Sequence, residues 1–485
     1  MDSLASKYTS SMVEDVRIFY PTVQVNIAHT IMLAESGIIS KKDASALLRA
    51  LVSLHQGGMS KLDLRDELED IHMAVEEFVV RRAGEKIGGK LNTAKSRNDQ
   101  VAAAIRLALR KRLLEVGEEL LGLIDAMIAL AEKNVETVMP GYTHLQIAEP
   151  TTFAHYLLAY CSALLRDVDR VFGAYELTNS CPMGACAFAS TSFPINLARV
   201  ANLLGFKRID ENTMDAVSSR DFALQTMGDL AILMIDLSRL SEELSLWTSL
   251  EFDMIEMSDE FVSTSSIMPQ KRNPVVAEMA RAKTGRVVGN LAGALSLLKA
   301  LPQAYDLDLQ ELTPLLWNSV DEVSTSVGVL KRLIGAIKPK KEVMRERAER
   351  GFSVATELAD TLVREAGLSF RDAHSVVGRL VARAIEDDKS TKELTVDDLR
   401  KASREVLGRE ISLRPEKWKA ALDVDSCVAS RAALGGPAPK SVRKQLKSFR
   451  LKSKQRSIII KHWRNAINDS EVKLLKEARR MYRWR

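Results

Sequence analysis

Residues 264–274 read TSSIMPQKRNP. Three hydroxyl side chains stand beside two adjacent cations, Lys271 and Arg272, and Pro269 and Pro274 bar a regular helix. Hydroxyls next to fixed positive charge suit a proton transfer; they are also ordinary contents of a solvated loop. Three further segments share this character. Residues 93–99 (TAKSRND) precede a long helical pattern, so backbone N–H groups and the positive helix end lie beside Arg97 and Asn98, a site for a carboxylate. The structural alternative is an N-cap by Asn98 or Asp99. Residues 141–146 (GYTHLQ) carry His144, the side chain suited to moving protons near neutral pH, although a structural histidine fits there too. Residues 305–310 (YDLDLQ) can hold a substrate or cap a helix end. Taken together, the loops offer hydroxyl, imidazole, amide and guanidinium groups, which fit a substrate with several carboxylates and a reaction built on proton transfer. The sequence shows no metal-ligand cluster, phosphate-binding glycine loop or nucleophile elbow, so no metal and no cofactor is expected.

Long helices must hold these loops. From Asp99 to about Val135, apolar residues fall at Ile105, Leu109, Leu113, Val116, Leu120, Ile124, Met127 and Ala131, always three or four apart, and Pro140-Gly141 should end the segment. A second pattern includes Leu233, Leu237, Leu240, Leu244 and Trp247. A third runs from Pro274 to about Leu301. Stretches such as Ala231-Ile-Leu-Met-Ile235 are apolar on more than one side and need neighbours on more than one side. The expectation is an all-α fold with an elongated bundle shared between subunits. Shorter helices should fill residues 1–98 and 361–439, around a central 99–360 bundle. No alternating run is strong enough to read as a sheet.

The 485 residues are 46% hydrophobic and only 5% aromatic, which allows a large core and favours helix. The net charge of +5 hides an asymmetry. Residues 440–485 hold 16 Lys/Arg and 3 Asp/Glu, a net of +13, which leaves −8 for residues 1–439. The expectation is a basic helical tail, with Ser470 as N-cap and Val472, Leu475, Ala478 and Tyr482 on its apolar face, docked on the acidic body or a neighbouring subunit. Binding nucleic acid is the rival role. Cys161, Cys181, Cys186 and Cys427 lack metal spacing and read as reduced thiols. With no apolar run of membrane-spanning length and no leader pattern after Met1, a cytoplasmic protein is expected.

The stretch from Ser265 to Asn273 resembles the signature loop of the fumarase/aspartase superfamily. GGKLNTAKSRNDQVA (88–102), PGYTHLQIAEP (140–150), MDAVSSRDF (214–222), ATELADTLVREAGLSFRDAH (355–374) and SCVASRAALGGPAP (426–439) are similar to the argininosuccinate lyase family within it, over about residues 8–439. The resemblance implies a three-domain helical subunit, a homotetramer with a shared bundle, and active sites shared among three subunits. It implies reversible, cofactor-free β-elimination of argininosuccinate to arginine and fumarate. By position, Ser265 corresponds to the catalytic base in a lid loop, charged by Lys271. His144 would be the acid or relay, paired with Glu278, and Asn273 would bind a carboxylate. Ser11, Asn98, Thr143, Tyr305 and Gln310 match substrate-binding positions, joined by Arg97. The chain departs from the family at Asn92, at Thr264, in segment 184–190 and after Tyr305, where a substrate-binding lysine becomes Thr313. Arg97, Lys95 and Arg272 are candidates to replace its charge. Alternatives are a lyase for another succinyl-amine such as adenylosuccinate, and a non-enzymatic structural paralogue.

Overall fold

Ser96 starts the main helix, because its side chain accepts from the Asn98 N–H while Asp99 accepts from the Ser96 N–H. This capping box satisfies donors that a helix start leaves open. The cap is therefore Ser96, not Asn98 or Asp99. The computed structural model describes residues 3–65 and 68–483. After two short helices, Ser3–Thr9 and Met12–Asp15, come α1 (Phe19–Glu35), α2 (Lys41–Gly57) and α3 (Ile71–Ala83), and then α4 (Arg97–Glu132) runs for 36 residues, about 54 Å at the α-helical rise. All eight apolar positions read from its sequence are buried.

After α4 the structure departs from expectation. Pro140 and Gly141 do not merely end a helix; they lie in a β-hairpin, β1 (Val138–Thr143) and β2 (Gln146–Thr152). Its register slips between Pro140 and Tyr142. Gly141 fits there because a Cβ would come within 2.8 Å of the Glu149 carbonyl oxygen. Proline and glycine inside the strand hide the alternation that would have announced it. The described residues hold three more two-stranded ladders. One joins β3 (Ser263–Thr264) to β4 (Arg272–Asn273), and another joins Ile255–Glu256 to Lys338–Pro339.

Four helices complete the bundle with α4: α5 (Phe153–Thr178), α6 (Asp221–Thr248), α7 (Val275–Leu298) and α8 (Asp308–Ala336). The fold is all-α in class. The chain runs up α4, back down α5, up α6, down α7 and up α8. Arg97, Arg220 and Tyr305 lie at one end, where a single cavity gathers them. The 138–152 hairpin and the 263–273 loop follow the finishing ends of α4 and α6, at the other.

Beyond α8, α9 (Lys341–Glu349) packs on β1. Helix α10 (Ala355–Ala366) and the helices between 370 and 422 enclose a separate small core around Leu362, Val376, Leu380 and Leu399. Helix α11 (Val424–Ser430) returns to the hairpin. Then α12 (Pro439–Met481) runs unbroken for 43 residues along α4, α5, α1 and α2.

The buried face of α12 repeats every seven residues: Leu446, Ser453, Ile460, Ile467, Leu474 and Met481. Ser470 lies inside this helix and donates to the Ile467 carbonyl instead of capping, and Val472 is exposed. Of the expected stripe, Leu475, Ala478 and Tyr482 pack on the main core, and only Val472 faces outward. Arginines turn to the acidic body: Arg443 meets Glu136, Arg450 meets Glu132, Arg456 meets Asp169 and Arg464 meets Glu118. The main core includes residues from Ile18 to Met481, so the tail completes the body's core. Ile460 is fully buried with its Cδ1 over Gly117 of α4. Ile460→Ala should cost about 2–5 kcal/mol, seen as a lower urea midpoint, with kcat unchanged. An unshifted midpoint would mean that the tail contributes nothing to the core.

Candidate active site

The starting ends of α4, α6 and α8 surround a cavity of roughly 100 Å³, with Ser11, Asp15, Asp70, His72, Arg97, Arg220, Tyr305, Gln310 and Thr313 on its wall. Four of the sequence-derived binding residues, Ser11, Arg97, Tyr305 and Gln310, therefore meet. Asn98 sits one residue further along α4, with its Nδ2 donating to the Ala187 carbonyl (3.0 Å). Gln310 Nε2 donates to Thr9 O (2.9 Å), which ties α8 to the N-terminal segment.

Sequence reading missed three charged side chains on the cavity wall. Asp15 accepts from Ser11 Oγ (2.7 Å) and from the Ile71 N–H (3.2 Å). Burial pushes its carboxyl up to about 6 against these two bonds. Asp70 pairs with Arg97 (2.8 Å), and burial raises its carboxyl too. Arg220 is buried and donates to the Val217 and Ser219 carbonyls, yet its Nε has no partner. Burial pulls it down to about 10, opposed by Tyr305. Only its place in SSRDF, just before a helix, could have flagged it. Beside Thr313 the cavity thus holds Arg97 and Arg220. Lys95 lines an adjoining cavity with Asn26 and Asn92, which shares His72 and Arg97 with the first. Arg272 is spent on the Met257 carbonyl and Asp259. Neither of these two meets Thr313.

Asp99 ties this end to the adjoining loop. Its buried carboxylate accepts from the Gly184 N–H (3.0 Å) and the Cys186 N–H (2.9 Å) besides capping α4. Thus the segment that departs from the family at 184–190 is fastened directly beside Asn98.

The proton-transfer candidates lie elsewhere. Thr143 and His144 are exposed at the hairpin tip. His144 and Leu145 both have positive φ, 55° and 58°, the two-residue type I′ turn that matches strand twist. For side chains other than Gly, Asn and Asp this conformation stores strain. In the loop between β3 and β4, Ser265 Oγ accepts from the N–H groups of Ile267 (3.2 Å) and Met268 (3.1 Å). Two amide donors would stabilise negative charge on that oxygen. Asn273 is half-buried; Lys271 and Glu278 are exposed. His144 and Glu278 are not bonded to each other within one chain.

None of Thr143, His144, Ser265, Lys271, Asn273 or Glu278 lines the cavity. Helix α7 explains why. Its 24 residues, about 36 Å of helix, separate Asn273 from Tyr305. Among the described residues no group of three or more His, Cys, Asp or Glu is arranged to hold a metal.

A bundle of long helices with polar loops at both ends is the architecture of a lyase class, and a family model described as Lyase matches residues 1–289. A second, described as Argininosuccinate lyase C-terminal, matches residues 352–429. The argininosuccinate lyase of Methanocaldococcus jannaschii is 47% identical over 445 residues, covering 92% of this chain and 90% of its own. That of Methanothermobacter thermautotrophicus is 48% identical, covering 93% and 96%. The chain belongs to the argininosuccinate lyase family. Among solved structures, EDDS lyase in complex with formate superposes with a TM-score of 0.89 at 28% identity over 99% of this chain and 96% of its own. A class II fumarase from Schistosoma mansoni shares the fold, with a TM-score of 0.72 at 18% identity over 88% and 94%.

Asp15 makes the cavity sensitive to pH. The carboxyl is charged well above pH 6 and neutral well below it. A ligand cation held against it loses attraction as pH falls through about 6, so KM should rise on the acid side. Asp15→Asn should flatten that rise and keep KM high throughout. KM measured from about pH 5 to 8 tests this; a wild-type profile in the variant would assign the titration to another group.

Proposed function

We propose that the chain cleaves argininosuccinate to arginine and fumarate, and runs the reverse addition. One observation carries this reading: the cavity sets the acceptors Asp15 and Asp70 and the cations Arg97 and Arg220 around one space. Acceptors suit the ammonium and guanidinium of the substrate, and cations suit its carboxylates. The 47–48% identity to curated argininosuccinate lyases supports the substrate.

In this reading Ser265 removes the proton from the carbon next to a substrate carboxylate. The two amides on its oxygen favour the ionised form that a base needs, and Lys271 adds positive charge. Asn273 holds the carboxylate that takes up the developing charge. The C–N bond then breaks, fumarate forms, and the guanidinium nitrogen leaves with a proton relayed by His144 and supported by Glu278. Thr143, Asn98, Ser11, Tyr305 and Gln310 orient the substrate. No electrons enter or leave, so the chemistry needs no redox partner.

The separation of the two ends supports a homotetramer in which three subunits build each site. An antiparallel neighbour would bring its hairpin and Ser265 loop to this chain's cavity. Ile232 and Ile235 on α6 and Met279, Val288 and Leu295 on α7 are exposed, with small residues Ala282, Gly285, Gly289 and Ala292 among them. Such a face suits close helix packing between subunits. A cytoplasmic location belongs to this reading, since the four cysteines are free thiols. Docking of the tail on the body belongs to this reading rather than nucleic-acid binding, and four tail arginines paired with the body support it.

A second reading, a lyase for another succinyl-amine, draws on the likeness to EDDS lyase and on the neutral Thr313 in the cavity wall. Purified protein mixed with argininosuccinate should release fumarate, followed by its ultraviolet absorbance; release only from adenylosuccinate in a parallel cuvette would move the assignment to the second reading. Ser265→Ala and His144→Asn should each lower kcat by about 10²–10⁴ with tetramer and helix content unchanged. Wild-type turnover in either variant would remove that residue from its role.

A further inference from the structure

The hairpin that carries His144 is free at its tip and fastened at its base. Three attachments come from one segment, residues 424–436. Val138 of β1 shares a small core with Val424, Cys427 and Val428. His155, just past β2, donates from Nε2 to the Gly435 carbonyl (2.9 Å) and accepts at Nδ1 from Thr151 Oγ1 (2.8 Å). The third attachment is ionic. Arg431 Nη2 lies 3.4 Å from Glu149 of β2, while its Nη1 meets Glu357 of α10 (3.2 Å) and the Cys427 carbonyl (2.7 Å).

Glu357 is itself buried and fully engaged, taking Ser430 Oγ (2.8 Å) on one oxygen and Arg364 (2.6 Å) on the other. It is therefore a fixed anchor in the small helical region. One guanidinium fork spans this anchor and β2, the strand that leads out of the turn holding His144. A lysine, with a single compact ammonium, cannot reproduce the fork. Both turn residues are held left-handed and the Glu149 carbonyl crowds Gly141, so the hairpin behaves as a stiff lever. Its aim is set where it is clamped.

We propose that Arg431 is a positioning residue for the reaction: by bridging Glu149 and Glu357 it fixes the angle at which the hairpin presents His144 to a neighbouring site. This rests on the reading of His144 as the proton relay. Misplacing a reacting group by about 1 Å costs on the order of 10²-fold in rate. Thr143 is the one substrate-binding residue of this reading that rides on the hairpin, while Ser11, Arg97, Tyr305 and Gln310 lie at the other end of the bundle, so the loss falls mainly on kcat.

The test uses the full-length tetramer and argininosuccinate. Arg431→Gln should lower kcat about 10- to 100-fold with KM within about threefold, and Arg431→Lys should recover part of the loss. In a His144→Asn background, Arg431→Gln should cost less than about twofold more, because residues acting as a unit are not additive. Glu149→Gln, at a half-exposed strand position, should reproduce the kcat loss in a protein of unchanged fold and covers the case in which Arg431→Gln does not fold. An equal loss in both backgrounds, or a change in KM alone, overturns the proposal while leaving His144 in its role. Full activity of His144→Asn itself would instead remove His144 from its role as proton relay, and the positioning role of Arg431 with it.

Discussion

A helix cannot be shortened without breaking its hydrogen bonds, and this constraint governs the molecule. Each residue adds 1.5 Å, so 24 residues of α7 hold its two flanking loops about 36 Å apart. The cavity with Ser11, Asp15 and Arg97 is confined to one end, and Ser265 and His144 to the other. No side-chain motion bridges such a gap. In the shared-site reading proposed above, a second bundle laid alongside the first completes the site, and the exposed apolar and glycine-rich faces of α6 and α7 offer the surface for it. Rigidity that would defeat a single chain becomes, in an assembly, the means of holding groups from separate chains at fixed distances.

At each end the same physics recurs on a smaller scale. Charges are held by groups that have little freedom to move. The Asp99 carboxylate takes three backbone N–H groups and locks loop 184–186 to the start of α4. Ser265 Oγ takes two. Arg431 spans two carboxylates and a carbonyl. Preorganised dipoles of this kind cost nothing to reorient when charge develops, and they do so without demanding that the whole loop be rigid.

The long helices were legible because their periodicity is written over many turns. Every predicted apolar position of α4 is buried, as are the five read for α6, and α7 begins and ends within a few residues of expectation. The 138–152 hairpin was not legible, because Pro140, Gly141 and Pro150 read as breakers when they are in fact bulge and edge residues. In the tail, Leu475, Ala478 and Tyr482 were read on the right face, but Val472 was not, and the helix starts at Pro439 rather than at Ser470, with its register carried by the seven-residue repeat of Leu446, Ile460 and Leu474. The site divided in the same way. Ser11, Arg97, Tyr305 and Gln310 were singled out by their position in the family resemblance or at a helix start, and the structure gathers them around one cavity. Asp15, Asp70 and Arg220 went unseen, since a lone carboxylate or arginine near a helix start says nothing until its burial and its neighbours are known.

The tail has a further consequence, for the order of folding. Its apolar residues fill the surface between α1, α2, α4 and α5, elements made some three hundred or more residues earlier. Until residue 481 has been synthesised, the groove around Gly117 and Val171 stands open to water, at ordinary elongation rates for tens of seconds. The nascent bundle must survive that interval with an uncovered apolar seam. The acidic side chains along the groove, Glu118, Glu132, Glu136 and Asp169, then do two jobs in sequence. They keep the seam hydrated and mutually repellent while it is empty, and they draw in the basic helix once it emerges.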